Sequence, residues 1–467
     1  MKTIESKSLS CYHWFDHREM SSLSAHETTR RDFLESSSKV AAATLAISCA
    51  SGRPVSAQVG NSTTGESQLK IGLVGCGGRG AGAINQALTA DDRTTLHAMC
   101  DVNREVMNKA EEILSKGKPG RVDVPEERRY SDFEGYKRVI ADCDVVVLAT
   151  SPGFRPLHFE EAVAQGKHVF MEKPVASDVA GIKRVLAAGK AAQAKNLKVA
   201  VGLQRRHQPG YQEWIKRIQD GEIGDVLVMR ALWNGSSRPG KPRIEGESEL
   251  EYQIRNWYYF TWLSGDHNVE QHVHNLDVAN WIKGEQHPVV ARGMGGREVR
   301  NAPENGQIYD HHFIEYEYAD GTILYSQARQ IPNCARDIRE SAIGTLGRAD
   351  LMQREFTITG PNAKVKRFRK NEDGHQLEHY PFFKAIREDL KHNEAERGAN
   401  ATMTAILGRM SNYSGQPVTW DDAMASNQRL VPDDLVDFSS EAPVHPDKAG
   451  RYPVAIPGVT DPFKVWY

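Results

Sequence analysis

An apolar run that ends abruptly in a glycine cluster constrains this chain more than any other feature. Leu69–Gly82 reads L-K-I-G-L-V-G-C-G-G-R-G-A-G, with Ile71–Val74 as the run and Gly75, Gly77, Gly78 and Gly80 set around Arg79. The spacing Gly75-x-Gly77-x-x-Gly80 between a strand and a helix is the dinucleotide-binding fingerprint. Gly75 permits the tight turn, Gly77 lets backbone approach a pyrophosphate, and Gly80 allows close helix–strand packing. The helix opening at Ala81 would aim its N-terminal N–H groups at the phosphates.

The surrounding sequence supports that assignment. A second apolar segment, Thr95–Cys100, ends in Asp101, about 20 residues beyond the last glycine, where an acid meets the adenosine ribose hydroxyls. Asp144–Ala149 is apolar enough to be a parallel strand buried on both faces. Helical segments such as Arg104–Leu114 separate these strands. The first fold element is therefore a doubly wound parallel α/β sheet with NAD as its expected cofactor. Arg104 beside the acid leaves room for NADP.

The chain has 467 residues and a formal net charge of −2. That length suggests two domains, and the balanced charge gives no field for nucleic acid or an anionic membrane. No apolar run reaches membrane-spanning length. Ahead of the fold, Thr29-Arg30-Arg31-Asp32-Phe33-Leu34 is a twin-arginine pattern, followed by alanine-rich Val40–Ala50 and the small residues Val55-Ser56-Ala57. Residues 1–57 resemble a bacterial Tat signal, which implies export of a folded, cofactor-loaded protein to the periplasm or cell envelope. Of the six cysteines, Cys76, Cys100, Cys143 and Cys334 lie beyond that segment and are expected as free thiols.

After a linker at 58–68, the α/β pattern runs through 69–205, with later strands at Lys167–Met171 and Lys198–Leu203. From 206 to 430 the texture changes. Val226–Leu232, Phe313–Tyr318 and Thr322–Ala328 are rich in β-branched and aromatic residues, and Asp320-Gly321 is a hairpin signal. This predicts an α+β domain with a mainly antiparallel sheet, serving substrate binding and oligomerisation. The tail at 431–467, rich in Pro, Asp and Gly, is expected to wrap this chain or a subunit neighbour.

Two clusters carry chemistry. In Glu172-Lys173-Pro174, at the C-terminal end of a strand, proline disfavours helical backbone at Lys173, and that sheet edge is where open α/β sheets bind ligands. A lysine there can hold a substrate oxygen on which charge develops. The second cluster runs from Gly265 to Asp277. On a continuous helix, Glu270, His274 and Asp277 share one face, making an imidazole with a carboxylate beside it, a suitable acid/base pair. Three histidines also invite a metal, yet His267-x-x-Glu270-x-His272 is out of register with zincin-type patterns, so no metal is expected. Second-domain candidates for the substrate pocket are Arg206, Arg255, Trp257 and Tyr258, together with Asp277.

These motifs together resemble the Gfo/Idh/MocA-type oxidoreductases, relatives of glucose–fructose oxidoreductase and inositol dehydrogenase. The resemblance rests on the glycine loop, Ala149-Thr150-Ser151-Pro152, His158, Gly166-Lys167-His168-Val169, Glu172-Lys173-Pro174 and His274-x-x-Asp277. It implies that Lys173 and His274 are catalytic, with Glu270 in the place of the more usual aspartate. It also implies that Thr150, His158 and Glu172 join the cofactor site. A tightly held NAD, a sugar, polyol or glycoside substrate with a secondary hydroxyl, and a homodimer or homotetramer follow from the same resemblance. A related branch performs redox-neutral glycoside cleavage and tends to replace the lysine. A non-catalytic exported sugar-binding protein is a third possibility from a different class.

Overall fold

β1, Leu69–Val74, forms because its apolar residues can be buried on both faces of a sheet, and five of its six are. It pairs in parallel with β2 (Thr94–Cys100) on one side and β4 (Val145–Leu148) on the other. With β3 (Arg129–Tyr130), β5 (His168–Met171) and β6 (Val199–Val201), the order is β3-β2-β1-β4-β5-β6. The change of direction on either side of β1 makes the crevice at the strands' C-terminal ends, where ligands bind in such sheets. The computed structural model describes residues 67–352, 355–360, 363–368 and 372–467. The twin-arginine segment, its cleavage site and nearly all of the linker lie outside the described residues.

A second sheet of nine strands follows. β7 (Val226–Asn234) pairs in parallel with β10 (Ile323–Arg329), and every other pairing is antiparallel. β9 (His311–Glu317) and β10 form the hairpin announced by Asp320-Gly321, and both alternate strictly between buried and half-buried residues. Period-two burial of this kind means one face is packed and the other open. β8 (Val290–Gly296) and β15 (Val418–Thr419) extend the sheet beyond β9. β11 (Asp337–Gly344), β12 (Arg348–Met352), β13 (Glu355–Gly360) and β14 (Ala363–Phe368) extend it beyond β7.

The packed face is covered by Val273–Ile282 and the long helix Ala395–Ser414, which also touches the helix Val179–Ala194 of the first sheet. Seventeen residues of Ala395–Ser414 are buried, including Thr402, Arg409 and Asn412, so the helix is enclosed between the two sheets rather than lying on a surface. One hydrophobic cluster runs from Val146 and Val169 through Val201 to Ile314 and Leu324. The described residues accordingly form a single compact unit.

The C-terminal tail folds back on its own chain. Phe438 meets Phe133 edge-on at 5.1 Å, and Leu430, Ala442, Val444 and Tyr452 pack with Tyr252, Phe260 and Trp262. Cys76, Cys100 and Cys143 are buried free thiols, and Cys334 is exposed.

Candidate active site

The glycine loop is built as its spacing demands. Gly75 sits at φ +92, a region L side chains rarely adopt, and a Cβ there would run into the backbone of Ala149 and Thr150. A Cβ on Gly80 would overlap the Gly75 carbonyl oxygen, whereas Gly77 and Gly78 face open space. Gly77 caps the helix Gly78–Ala90. That open space over a helix N-terminus is a cradle a phosphate fits and a side chain would fill.

Asp101 closes the turn. Its carboxylate accepts from Cys76 N at 2.7 Å and from Asn103 N at 2.9 Å, while burial raises its pKa. Arg104, the residue that left room for a 2′-phosphate, is committed elsewhere. It pairs with Glu126 and donates to the Arg129 carbonyl.

Beside the loop lies a cavity of about 310 Å³. One wall carries Gly77, Asp101, Thr150 and His158. The opposite wall is Lys241, Glu251, Ile254, Arg255, Trp257 and Phe438, contributed by the region after β7 and by the tail. Thr150 Oγ1 lies 3.2 Å from His158 Nδ1. Burial drives the His158 pKa down to about 3, so its ring is neutral. Trp257, expected in a substrate pocket, is placed here in the dinucleotide groove. Arg255 joins it and is held by Glu247. No sequence signal announced that 241–257 and Phe438 would cover this groove.

Arg79 links the loop to the reactive centre. It pairs with Glu172 and lies 3.6 Å from Glu378. Burial pushes Glu172 up, but the Arg79 guanidinium holds it net below the usual carboxylate range. At Glu378 the same guanidinium offsets only part of the cost. Burial first, then the Glu172 charge, push it well above its ordinary value, and neither oxygen has a hydrogen-bond partner. Nothing in the local sequence around Glu378 predicted that position.

Lys173 follows Glu172 at the end of β5, with a cis peptide to Pro174. Arg155, fully buried, donates to the carbonyls of Pro174 and Thr150, tying this corner to the loop after β4. Lys173 Nζ donates to the Glu270 carbonyl at 2.7 Å and lies 3.5 Å from Glu270 Oε1. Both side chains are about 11% exposed, so the pair is shielded from water. His274 is buried, stacks on Trp233 at 6.3 Å, and has no partner for Nδ1. Burial first, then the Lys173 charge, depress its pKa well below the usual histidine value, so the ring is neutral and able to accept a proton.

The helix expected to carry Glu270, His274 and Asp277 is interrupted. His267–Glu270 ends, His272 N reaches back five residues to the His267 carbonyl at 3.2 Å, and a new helix runs Val273–Ile282. No hydrogen bond joins Glu270 to His274; the Glu270 carboxylate serves Lys173 instead.

Asp277 and Arg206 are engaged with each other. Arg206 Nε donates to both Asp277 oxygens at 2.9 Å, and Arg206 also pairs with Glu285 at 2.6 Å. Both residues are buried, which gives the pair a structural role rather than the expected substrate contact. Tyr258 accepts from Gln330 Nε2 at 2.7 Å and is close enough to Glu270 to feel its charge.

Comparisons with known proteins bear on the fold and the cofactor class. Residues 69–203 match the Gfo/Idh/MocA model, described as an oxidoreductase family with an NAD-binding Rossmann fold. The inositol 2-dehydrogenase of Klebsiella pneumoniae is 27% identical over 289 residues, 61% of this chain and 74% of that protein. The scyllo-inositol dehydrogenase of Lactobacillus casei, solved with NAD(H) and scyllo-inositol, aligns with a TM-score of 0.58 at 20% identity. That alignment covers 76% of this chain and 99% of the other. An oxidoreductase domain protein from Kribbella flavida aligns with a TM-score of 0.62 at 19% identity, covering 76% and 99%. The chain has the fold and cofactor class of an NAD(P)-dependent oxidoreductase acting on CH–OH groups.

Proposed function

We propose, for a chain whose residues 69–203 match the Gfo/Idh/MocA oxidoreductase model, that it oxidises a secondary hydroxyl of a polyol or sugar. The observation that carries this reading is Lys173, held by Glu270 just past the end of β5, with a neutral, buried His274 close enough to feel its charge and the Arg79–Glu172 pair linking this corner to the glycine loop. When bound, NAD supplies hydride acceptance. The groove fits it: Gly77 and Gly78 leave the phosphate approach open, Asp101 offers a carboxylate to ribose, and Arg104 is paired with Glu126.

His274 takes the hydroxyl proton, which a neutral imidazole can do and an imidazolium cannot. Lys173 donates to the same oxygen, and Glu270 fixes where its ammonium points. Trp257 and Phe438 line the groove, favouring retention of the cofactor. The inositol dehydrogenases among the relatives make cyclic polyols the first substrates to try.

Export belongs to the same proposal and rests on the Arg30-Arg31 pattern; replacing both with Lys should leave precursor in the cytoplasm. A homo-oligomer rests on the open face of the second sheet, where Met294 is 70% exposed. The test is native mass spectrometry on protein purified without added nucleotide, followed by a polyol, sugar and glycoside panel read by nicotinamide absorbance. Bound NAD and reduced nicotinamide formed with a polyol or sugar support the reading. Glycoside cleavage with no net change in absorbance replaces it with the redox-neutral glycosidase. No turnover on the panel replaces it with a binding protein.

A further inference from the structure

One buried cluster plays no part in this chemistry. Asp266, His267 and His312 are completely buried, and each offers a ligand atom within 4.8 Å of the other two. His312 Nε2 lies 3.1 Å from Asp266 Oδ1, and His267 Nε2 lies 3.9 Å from the same oxygen. The rings of His267 and His312 meet edge-on with centroids 4.7 Å apart.

Hydrogen bonding accounts for two of the three residues. Asp266 accepts from Tyr309 N at 3.0 Å and from the Tyr413 hydroxyl, and the Asn412 amide lies 2.7 Å from His312 Nδ1. It does not account for His267, whose two ring nitrogens are both buried without any partner. A buried polar atom left unpaired costs about 1–3 kcal/mol, and such orphans call for an explanation. Asp266 adds a second oddity. Its backbone stands at φ +80 and ψ 160, a region essentially confined to glycine, and non-glycine residues are held there chiefly at functional sites and ligand clamps.

We propose that Asp266, His267 and His312 bind one divalent transition-metal cation of the zinc type. Two imidazoles and one carboxylate are a donor set zinc accepts, with a water completing four-coordination. Asn412 provides the outer partner that orients a ligating histidine: its Oδ1 is buried and unpartnered, so turning the amide lets it accept from His312 Nδ1–H and frees Nε2 for the metal. The same donor set at an open site would suit non-haem iron. Here none of the three lines the dinucleotide groove and all are closed from solvent, so the cation would hold the fold rather than meet substrate. Its role is mechanical. The cation would clamp the turn that starts His267–Glu270 onto β9, thereby fixing the carbonyl and carboxylate of Glu270 that hold Lys173.

The sequence expectation of no metal rested on His267, Glu270 and His272, and the spacing there is indeed wrong. The set proposed here differs, drawing His312 from a strand distant in sequence. The test is elemental analysis of wild-type protein purified without chelators, with X-ray absorption at the zinc edge. About one zinc per chain, in a nitrogen/oxygen shell at about 2.0–2.1 Å and without sulfur, is expected. His267→Asn and His312→Asn should lose the metal, while the exposed-site control His445→Asn keeps it. A wild-type protein that stays metal-free after zinc add-back overturns the proposal even if the variants fail to fold. So does zinc retained by a folded His267→Asn/His312→Asn double variant. Neither readout depends on turnover or on NAD.

Discussion

Replacing Gly77 and Gly80 separately by alanine tests whether the glycine loop is built for a ligand or only for packing. Gly77 has extended backbone, φ −62 and ψ 176, and nothing lies within 4 Å of a Cβ placed on it. Gly77→Ala should therefore leave stability unchanged. Its methyl group enters the space kept for the pyrophosphate, so NAD affinity should fall at least about tenfold, or about 1.4 kcal/mol. Gly80 is the opposite case. An added Cβ overlaps the Gly75 carbonyl oxygen and lies 3.2 Å from Leu73 Cδ1, in a fully buried strand–helix contact. Overpacking of this kind costs about 1–3 kcal/mol. At about 1 °C per kcal/mol for a unit of about 400 residues, melting should drop by about 1–4 °C even without nucleotide. Calorimetric titration with NAD and differential scanning calorimetry on apo protein read the two effects independently. Gly77→Ala that melts early while binding NAD normally would refute the reasoning.

Three further outcomes follow from the geometry. Arg206→Ala should destabilise the protein by about 3–5 kcal/mol, because it strands the Asp277 carboxylate in the interior; a normal melting temperature with a raised KM would return Arg206 to the substrate pocket. Asp101→Ala should narrow the preference for NAD over NADP, which titration of wild type should show as at least tenfold, about 1.4 kcal/mol; equal wild-type affinities would contradict the role given to Asp101. His158 and His272 are buried and His168 is half-buried, and all three are neutral with pKa values depressed to about 3, 3 and 4. Their contribution is complete above the unfolded histidine pKa and is lost as pH falls toward those folded values, at up to about 1.4 kcal/mol per pH unit each. Glu378, raised by burial, works in the opposite sense over the acid range. Melting should fall steeply from pH 6.5 to 5, and a flat profile would show that these rings are not held neutral.

What could be read in the sequence was local. Ile71–Val74, the glycines and Asp101 obey short-range rules of turn, helix start and strand burial, and the structure places them as those rules require. Lys173 was legible for the same reason, since a strand end followed by proline fixes backbone direction. Distant pairings were not legible. Arg206 and Asp277 each looked free because neither carries a sign of the other. Glu270 was assigned to His274 from helical spacing, and the interruption at Gln271 gives it to Lys173 instead. β11–β14 escaped notice because Asp337–Gly344 and Arg348–Met352 mix half-buried or exposed charges (Arg339, Arg348, Asp350) with a buried Glu340, which dilutes the apolar signal. Trp257 looked like a substrate contact until the fold brought it and Phe438 over the dinucleotide groove.

Catalysis here turns on the proton acceptor, His274. Turnover and NAD affinity should be measured side by side for wild type, Lys173→Ala and His274→Ala, using the best substrate from the polyol and sugar panel. Each variant should lose about 10²–10⁴-fold in kcat, the usual contribution of a positioned acid–base group, while the NAD Kd stays within about twofold of wild type. Near-normal turnover by His274→Ala would contradict the central claim, since it would mean that the neutral imidazole beside Lys173 is not where the hydroxyl proton goes.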